Sequence, residues 1–283
     1  MKQSHAAWAA RLAPPAFTPI ISAMKALLRA LAALSFAVPG PAEATDPEGL
    51  QNTANNPLTP KMAVMAHNYV QPVMSGQPGS GANQLFMRGV LPHDALGIDQ
   101  LMRASLPVIS NAWTPHHASN GIGDLTVFDM AIHRFGRNKI GIGPLLVAPT
   151  ASSPALGSGK WQGGLQTVIS LPHDWGLTSA LTSYQQSFDG SLQTLTVQPL
   201  VFYNLDNGYY LRSSGISTFD LGRSSVVPIG LGLGRVFEHA DGKVLNLFIE
   251  PQYSVVQTGI GVPSFQVFAG LVLQIPVKPP VRP

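Results

Sequence analysis

Two short motifs in this sequence combine residues that could bind a ligand, and the first is the run ALGSGKW at residues 155–161. Its Gly-Ser-Gly-Lys core is similar to the end of a phosphate-binding loop, in which Gly-x-x-x-x-Gly-Lys precedes a Ser or Thr that binds magnesium. Pro154 stands where the first glycine of that loop belongs, and Trp161 takes the hydroxyl position. We therefore expect no nucleotide site, and the glycines indicate a tight loop that leads into a strand.

The second motif is Leu-Pro-His-Asp, which occurs at residues 91–94 and again at residues 171–174. A His-Asp pair at each of two turns could in principle hold a metal ion. Both copies end a predicted strand at a proline, however, so turn formation explains them without any ligand. The sequence therefore predicts no metal site.

Signatures of catalysis and of cofactor binding are absent from the sequence. It contains no Gly-x-Ser-x-Gly nucleophile elbow, no His-Glu-x-x-His motif and no cysteine. We therefore predict a protein that is not an enzyme and that binds no cofactor. One alternative stays open, because an outer-membrane lipase or acyltransferase could assemble Ser, His and Asp from different strands.

The charge of the chain excludes one class of partner. Charged residues make up only 11% of the chain, far below the roughly 25% of soluble domains. The formal net charge of +3 comes from the first 44 residues, and the remaining chain carries 13 basic and 13 acidic residues. Without a basic surplus, a nucleic-acid partner has no electrostatic support.

An export signal is predicted between Met24 and Ala44. Lys25 and Arg29 provide its basic part, an apolar run too short to span a membrane follows, and Ala-Glu-Ala ends it as a small-x-small cleavage pattern. We expect Met24 to be the true start and residues 1–44 to be removed, so that the mature protein lies outside the cytoplasm.

The rest of the chain alternates between apolar and polar residues in short segments that are separated by turns. Asp-Asn-Gly at residues 206–208 and Asp-Gly at residues 241–242 are strong turn signals. The pattern predicts about twelve strands. They are expected near residues 60–72, 83–92, 99–109, 122–135, 139–149, 161–171, 175–187, 192–204, 208–219, 225–237, 243–256 and 263–275.

Two architectures produce such alternation. In residues 265–275 every second residue is apolar, and in residues 229–234 apolar residues alternate with glycines. A soluble sandwich buries the apolar face and needs a charged outer face, whereas a membrane barrel turns it toward lipid and lines its interior with Gly, Ser, Thr and Gln. The scarcity of charge favours an all-β fold, a single antiparallel transmembrane β-barrel. Aromatic residues that fit girdles at the membrane interfaces are Trp161, Trp175, Tyr203, Tyr209 and Tyr210.

Six charged or titratable residues lie in the middle of predicted strands. An arginine that faces lipid at the bilayer midplane costs ~2–4 kcal/mol, so we expect these residues to line the lumen. They are Arg88, Arg103, Asp129, His133, Arg212 and Glu250. Two roles stay open: a selectivity region that screens solutes by charge, or a cluster of paired arginines and carboxylates that fills the lumen.

Several glycine-rich stretches resemble a bacterial family of outer-membrane proteins related to a component of phenol meta-cleavage degradation pathways. The resemblance covers roughly residues 83–276, and ALGSGKW is its most specific element. The other matching stretches are Gly121-Ile122-Gly123-Asp124-Leu125, Gly141-Ile142-Gly143-Pro144, Pro149-Thr150-Ala151, Gln198-Pro199, Asn204, and Pro228-Ile229-Gly230 with Gly234. The resemblance implies a single β-barrel with a signal peptide, no cofactor and a transporter-like role, and it assigns no site residue.

Together these features divide the chain into four parts. The signal region over residues 1–44 precedes a flexible leader at residues 45–60, the barrel at residues 61–276 and a proline-rich tail at residues 277–283. The prolines of the tail lack the amide donors that the interior of a sheet requires.

The function predicted from the sequence is passive passage of small solutes, possibly aromatic or hydrophobic, across the outer membrane of a Gram-negative cell. The expected partners are the lipid bilayer, the solutes and the outer-membrane assembly machinery. Lumen side chains and the loops at residues 75–81, 110–121 and 151–160 would set specificity. Two alternatives stay open: a plugged barrel with a structural or lipid-modifying role, and a soluble periplasmic β protein that holds an apolar ligand.

Overall fold

The computed structural model describes residues 49–276, most of which lie in β-strands. The predicted signal region and the predicted tail over residues 277–283 lie outside the described residues. A short helix, α1 (Leu50–Asn55), precedes the first strand, and a 3₁₀ turn covers Asp206–Gly208. The strands are β1 (Met62–Met74), β2 (Gly81–Ala95), β3 (Ile98–Trp113), β4 (Ala118–Gly121), β5 (Leu125–Phe135), β6 (Asn138–Ala148), β7 (Gln162–His173), β8 (Gly176–Ser187), β9 (Gln193–Asn204), β10 (Tyr209–Ser213), β11 (Ser217–Asp220), β12 (Ser224–Gly230), β13 (Gly232–Glu238), β14 (Val244–Thr258) and β15 (Pro263–Ile275).

The strands pair in antiparallel fashion, and the sheet closes on itself because β1 pairs with β15. Three strands of the circuit are interrupted. Both β4 and β5 pair with β3, both β10 and β11 pair with β9, and both β12 and β13 pair with β14. The described residues therefore form a closed antiparallel barrel of 12 strands, which confirms the predicted fold class.

The barrel has two unlike ends. At the first, Met62 of β1 pairs with Ile275 of β15, and we call it the terminal end. Its turns are tight: Leu96 and Gly97 between β2 and β3 both have positive φ, 56° and 77°, as a type I′ hairpin turn requires. The opposite end, the loop end, carries longer connections, of which residues 149–161 between β6 and β7 form the longest.

The two faces of the barrel wall differ in polarity. On β14, Ile249 and Tyr253 are 54% and 61% exposed, whereas Glu250 and Gln252 between them are almost fully buried. An outer face with many exposed apolar side chains is unfavourable in water and suits contact with lipid. Further exposed apolar residues of the outer face are Val64, Ile142, Leu146, Leu165, Val201, Ile229 and Leu233.

Aromatic residues are exposed on the outer face near both rims. Trp175 and Tyr203 stack at the terminal end with ring centroids 6.1 Å apart, and Trp161, directly before β7 at the loop end, is 50% exposed. Such positions suit the interface between lipid and water. Tyr210 does not belong to this set, because it is fully buried and faces the lumen, one residue out of phase with the exposed Tyr209.

The leader predicted as flexible is, in its described part, packed inside the barrel at the terminal end. Asn52 and Asn56 are each 3% exposed and Leu58 is 2% exposed. The polar side chains and backbone groups of residues 51–56 are bonded to the His173 and Leu205 carbonyl oxygens, Ser170, Asn204, Asn246 and Gln274. A helix of six residues is too short to be stable in water, so these contacts hold it in place. Within residues 49–276, no helix is long and apolar enough to cross a bilayer.

Candidate functional site

A buried ion pair lies at mid-height in the lumen. Arg212 of β10 donates through Nε to Glu250 Oε2 of β14 at 2.8 Å, and the two side chains are 5% and 0% exposed. Ser214 accepts from Arg212 Nη2 at 2.7 Å and donates to the carboxylate through its backbone N–H at 2.7 Å and its Oγ at 2.6 Å. Each of the two buried charges is thus paired with an opposite charge and with hydrogen bonds. Without these partners the burial of either side chain would be strongly unfavourable.

Glycines on β12 and β13 make room for this pair. A Cβ at Gly232 would collide with Glu250, and a Cβ at Gly234 would collide with the ring of Tyr210. At Gly230 it would meet Gln252 and Glu250. The glycines that alternate with apolar residues in the sequence therefore let large side chains of β10 and β14 extend across the inner face of the strand between them.

A chain of glutamine amides leads from the ion pair toward the loop end. Gln252 donates to Glu250 Oε1 at 2.9 Å, Gln266 donates to Gln252 at 2.5 Å, and Gln71 donates to Gln266 at 2.9 Å. Each amide both donates and accepts, so the chain presents hydrogen-bonding groups without net charge. The wall of the lumen on this side of the ion pair is therefore polar.

Aromatic rings surround the ion pair on the inner wall of β14, β15 and β1. The guanidinium of Arg212 lies 3.5 Å from the ring centroid of Phe248. Phe268 meets Phe248 edge to face at 4.8 Å and stacks on Tyr69 at 4.2 Å. His67 lies 5.3 Å from Phe268, again edge to face. The centre of the lumen thus combines cationic and aromatic groups.

Two more arginines face the lumen, from β2 and β3. The guanidinium of Arg88 lies 4.7 Å from the ring centroid of Phe86, and that of Arg103 lies 4.7 Å from the ring centroid of Phe128. Both arginines are partly buried. The structure therefore places four of the six sequence-selected residues on the inner wall. They are Arg88, Arg103, Arg212 and Glu250.

Asp129 and His133, which were expected in the lumen, lie instead on the outer face of β5. They alternate with Phe128 and Met130, which are 4% and 1% exposed and point inward. Asp129 is bonded near the terminal end to His93, with Oδ1 3.0 Å from Nε2. Alternation predicts two faces but not which one is inner, and here the large apolar pair takes the inner face.

The ALGSGKW motif belongs to an ordered loop at the loop end, fixed by Asp124. The Asp124 carboxylate accepts hydrogen bonds from the backbone N–H of Ser158 at 2.7 Å, from the Ser158 hydroxyl at 2.9 Å and from the backbone N–H of Ala151 at 3.1 Å. A Cβ at Gly157 would overlap both Ala151 and Asp124. The Gly-Ser-Gly run thus allows two loops to approach each other closely.

Lys160, the lysine of this motif, connects the loop to the next one. Its Nζ donates to Asp189 Oδ2 at 2.5 Å and to Ser191 Oγ at 2.5 Å. The hydrogen bond from Lys160, together with those from Ser187 and Ser191, holds the pKa of the exposed Asp189 carboxyl well below its ordinary value. Lys160 therefore has a partner within the protein.

Both Leu-Pro-His-Asp motifs lie at turns of the terminal end. Asp94 accepts the hydrogen bond of the Gly97 backbone N–H within its own turn, at 3.1 Å. His173 stacks on Trp175, and Asp174 accepts a hydrogen bond from Arg137 Nη1, in the neighbouring turn, at 2.8 Å. Over residues 49–276, no group of three or more His, Asp and Glu side chains is arranged to hold a metal ion.

The sequence did not identify the lumen roles of His67, Tyr69 and α1. A histidine and a tyrosine within an alternating strand carry no local signal of their function. The three asparagines Asn52, Asn55 and Asn56 were interpreted as part of a flexible leader, although side-chain amides can also bond to polar groups of a barrel wall.

Comparison with known proteins supports the barrel fold. No family model and no curated protein matches the sequence. Among solved structures, an outer-membrane channel from Pseudomonas putida F1 is similar with a TM-score of 0.60 and 14% identity, over 83% of this chain and 100% of that chain. The fold is that of an outer-membrane barrel. At 14% identity the similarity establishes the fold only, so the function must be argued from the side chains of the lumen.

Two further structures are similar at a level too low to carry an argument. A KdgM porin has a TM-score of 0.40 at 12% identity, over 76% of this chain and 99% of that chain. The β domain of the Bordetella autotransporter Brka has a TM-score of 0.40 at 16% identity, over 76% of this chain and 100% of that chain.

Proposed function

We propose that this protein is an outer-membrane channel through which small solutes pass without chemical change. The observation that carries the proposal is the closed barrel of 12 strands, with an exposed apolar outer face and an interior in which polar side chains lie beside apolar and aromatic ones. A closed barrel satisfies every strand edge and can therefore cross lipid. Because short turns lie on the periplasmic side of such barrels, the terminal end would face the periplasm.

The proposal includes finer points that rest on the sequence. Export would use the signal peptide, and insertion would use the outer-membrane assembly machinery. The solutes would be small and aromatic or hydrophobic, which agrees with the resemblance to outer-membrane proteins related to phenol degradation. The rings of Phe248, Phe268 and Tyr69 in the lumen support such solutes, since stacked and edge-to-face contacts are available to an aromatic guest.

The position of α1 sets the main condition on passage. It stands in the mouth of the terminal end, so a solute must pass beside it or displace it. Side-chain hydrogen bonds hold it to the wall, and each contributes only ~0.5–1.5 kcal/mol net. Displacement of α1 would break none of the strand pairs of the barrel. If α1 stays fixed, the filled lumen favours the alternative of a plugged structural barrel.

Conductance of the purified protein in a planar bilayer tests the proposal. We expect current steps from the wild type, and larger steps from the Asn52→Ala, Asn56→Ala double variant, because α1 loses bonds to His173 and Ser170. Asn120→Ala, an exposed change on β4, is the matched control and should conduct as the wild type. If neither wild type nor double variant passes current or solute, the channel is refuted and a plugged barrel is left.

A further inference from the structure

The three arginines of the lumen differ in how their charge is compensated. Arg212 donates one hydrogen bond to Glu250 and one to Ser214, and Ser214 donates two more to the Glu250 carboxylate. Arg88 and Arg103, by contrast, are in no ion pair among residues 49–276. Two positive charges thus face the lumen without a carboxylate partner in the described part of the chain.

The two uncompensated arginines are neighbours on the inner wall. In the pairing of β2 with β3, Arg88 is opposite Ser105 and Arg103 is opposite Val90. Diagonal positions of this kind on adjacent antiparallel strands have Cα atoms roughly 7–8 Å apart. Both side chains therefore reach the same part of the lumen, where two like charges repel each other unless an anion or water lies between them.

Hydrogen-bond donors remain unused around this pair. Neither the buried Nε of Arg88 nor that of Arg103 has a partner in the described structure. Arg88 Nη1 lies 2.7 Å from His67 Nδ1, and the other ring nitrogen of His67 also has no partner there. A buried polar atom without a partner is unfavourable, so such a group of donors favours an acceptor that comes from outside the wall.

Aromatic rings flank the same donors. Phe86 and Phe128 each support one guanidinium through a cation–π contact, which leaves the N–H groups at its edge available. Tyr69 meets Phe86 edge to face at 5.9 Å. The wall therefore offers charged donors and apolar ring surface within the reach of one small molecule.

We propose that Arg88 and Arg103 form a binding site for the carboxylate of a small aromatic acid inside the lumen. Two guanidinium groups suit a carboxylate because their planar N–H groups bond to both of its oxygens. The ring of the acid lies against the flanking aromatic side chains, which distinguishes it from an inorganic anion. Since this site would define the class of solute that the channel carries, the inference rests on the proposed function. The site itself can be tested by binding alone.

Isothermal titration of the purified full-length protein in neutral detergent tests the site, with benzoate, benzyl alcohol and inorganic phosphate as separate ligands. We expect benzoate to bind at least about tenfold more tightly than either of the others, because only it combines a carboxylate with a ring. Equal affinity for benzoate and benzyl alcohol would exclude a carboxylate site. Equal affinity for benzoate and phosphate would exclude a role for the rings.

Variants locate the site. Arg103→Gln and Arg88→Gln should each weaken benzoate binding about tenfold or more, and Arg103→Lys should retain part of it, since lysine keeps the charge but not the planar donor pair. Arg235→Gln is the matched control, because Arg235 also lies over an aromatic ring, that of Tyr209, but on the outer face. Benzoate binding that is unchanged in both lumen variants overturns the proposal.

The test separates this inference from the proposed function. Each variant is first shown to be folded by its heat-dependent migration on gels, so that loss of binding is not loss of structure. Benzoate binding without any conductance of the wild type or of the Asn52→Ala, Asn56→Ala double variant would leave the site and refute the channel. Conductance of the wild type without benzoate binding would leave the channel and refute the site.

Discussion

Arg212 and Glu250 show how a charge becomes tolerable at the centre of a narrow barrel. The Glu250 carboxylate accepts hydrogen bonds from Arg212 Nε and from the hydroxyl and backbone N–H of Ser214. Gln252 adds a fourth donor at 2.9 Å. Four donors fill the acceptor capacity of an ionised carboxylate. The pair therefore behaves as a structural unit of the wall, whereas Arg88 and Arg103 keep donors for a ligand.

Removal of one member of the pair is therefore expected to destabilise the barrel strongly. Glu250→Gln keeps the shape but leaves Arg212 buried without a counter-charge, which typically costs about 3–5 kcal/mol. The midpoint of unfolding, followed by heat-dependent gel migration in urea, measures the loss. Asp241→Asn is the control, since Asp241 forms an exposed pair with Lys243 and should leave the midpoint nearly unchanged.

A second variant excludes the simpler explanation that position 250 tolerates no change. The double variant Arg212→Met, Glu250→Gln removes both charges and should regain much of the stability lost in the single variant. If the single variant unfolds at the wild-type urea concentration, the ion pair is not the structural unit described here.

At the scale of elements, the sequence predicted the strands that build the barrel wall but missed β4, which lies in the predicted loop at residues 110–121, and it did not predict what lies in the lumen. All twelve predicted segments coincide with strands of the barrel wall, because turns such as Asp206–Gly208 and the alternation between them are local properties. The side to which a residue points is not local. Asp129 and Tyr210 were assigned to the wrong face because that choice depends on partners across the lumen.

The burial of α1 was beyond prediction for a related reason. Residues 45–60 are polar and rich in turn formers, which is typical of a flexible segment in water. Inside the barrel the same amides find fixed partners, such as His173 for Asn52 and Asn246 for Asn55. Those partners lie 121 and 191 residues further along the sequence, so no local pattern could reveal them.

The long loop between β6 and β7 supports a prediction at this scale. Asp124→Ala removes the acceptor for three hydrogen bonds, two from Ser158 and one from Ala151. We expect residues 149–161 to become accessible to protease, with faster cleavage after Lys160 or nearby, while the barrel stays folded. Limited proteolysis followed by mass spectrometry measures the cleavage rate.

Asp94→Ala at the terminal end is the control for that experiment. It also removes a carboxylate that bonds a loop backbone, through the Gly97 N–H, but it lies far along the strands from residues 149–161. Cleavage within residues 149–161 at the same rate in both variants would show that Asp124 does not fix the loop.

At the scale of the whole molecule, the outer face decides where the protein resides. A soluble β protein with an internal ligand would need a polar exterior, yet the outer row of this barrel exposes Ile142, Ile229 and Ile249 by more than half of their area each. Such a surface is stable only where lipid or another apolar phase covers it. The buried Gln252, Gln266 and Gln274 lie on the inner wall, so this barrel exposes apolar side chains and shields polar ones there, the opposite of what a protein in water requires.

Replacement of an outer residue by arginine tests this inversion directly. Ile142 lies near the middle of β6, so Ile142→Arg should reduce the free energy of folding into lipid vesicles by about 2–4 kcal/mol. Leu221→Arg adds the same charge to an exposed apolar residue of a loop and should have little effect. Urea titration of vesicle-folded protein gives both values. In a barrel surrounded by water the two substitutions would be equally harmless, so equal stability of the two variants would mean that lipid does not cover the outer face of β6.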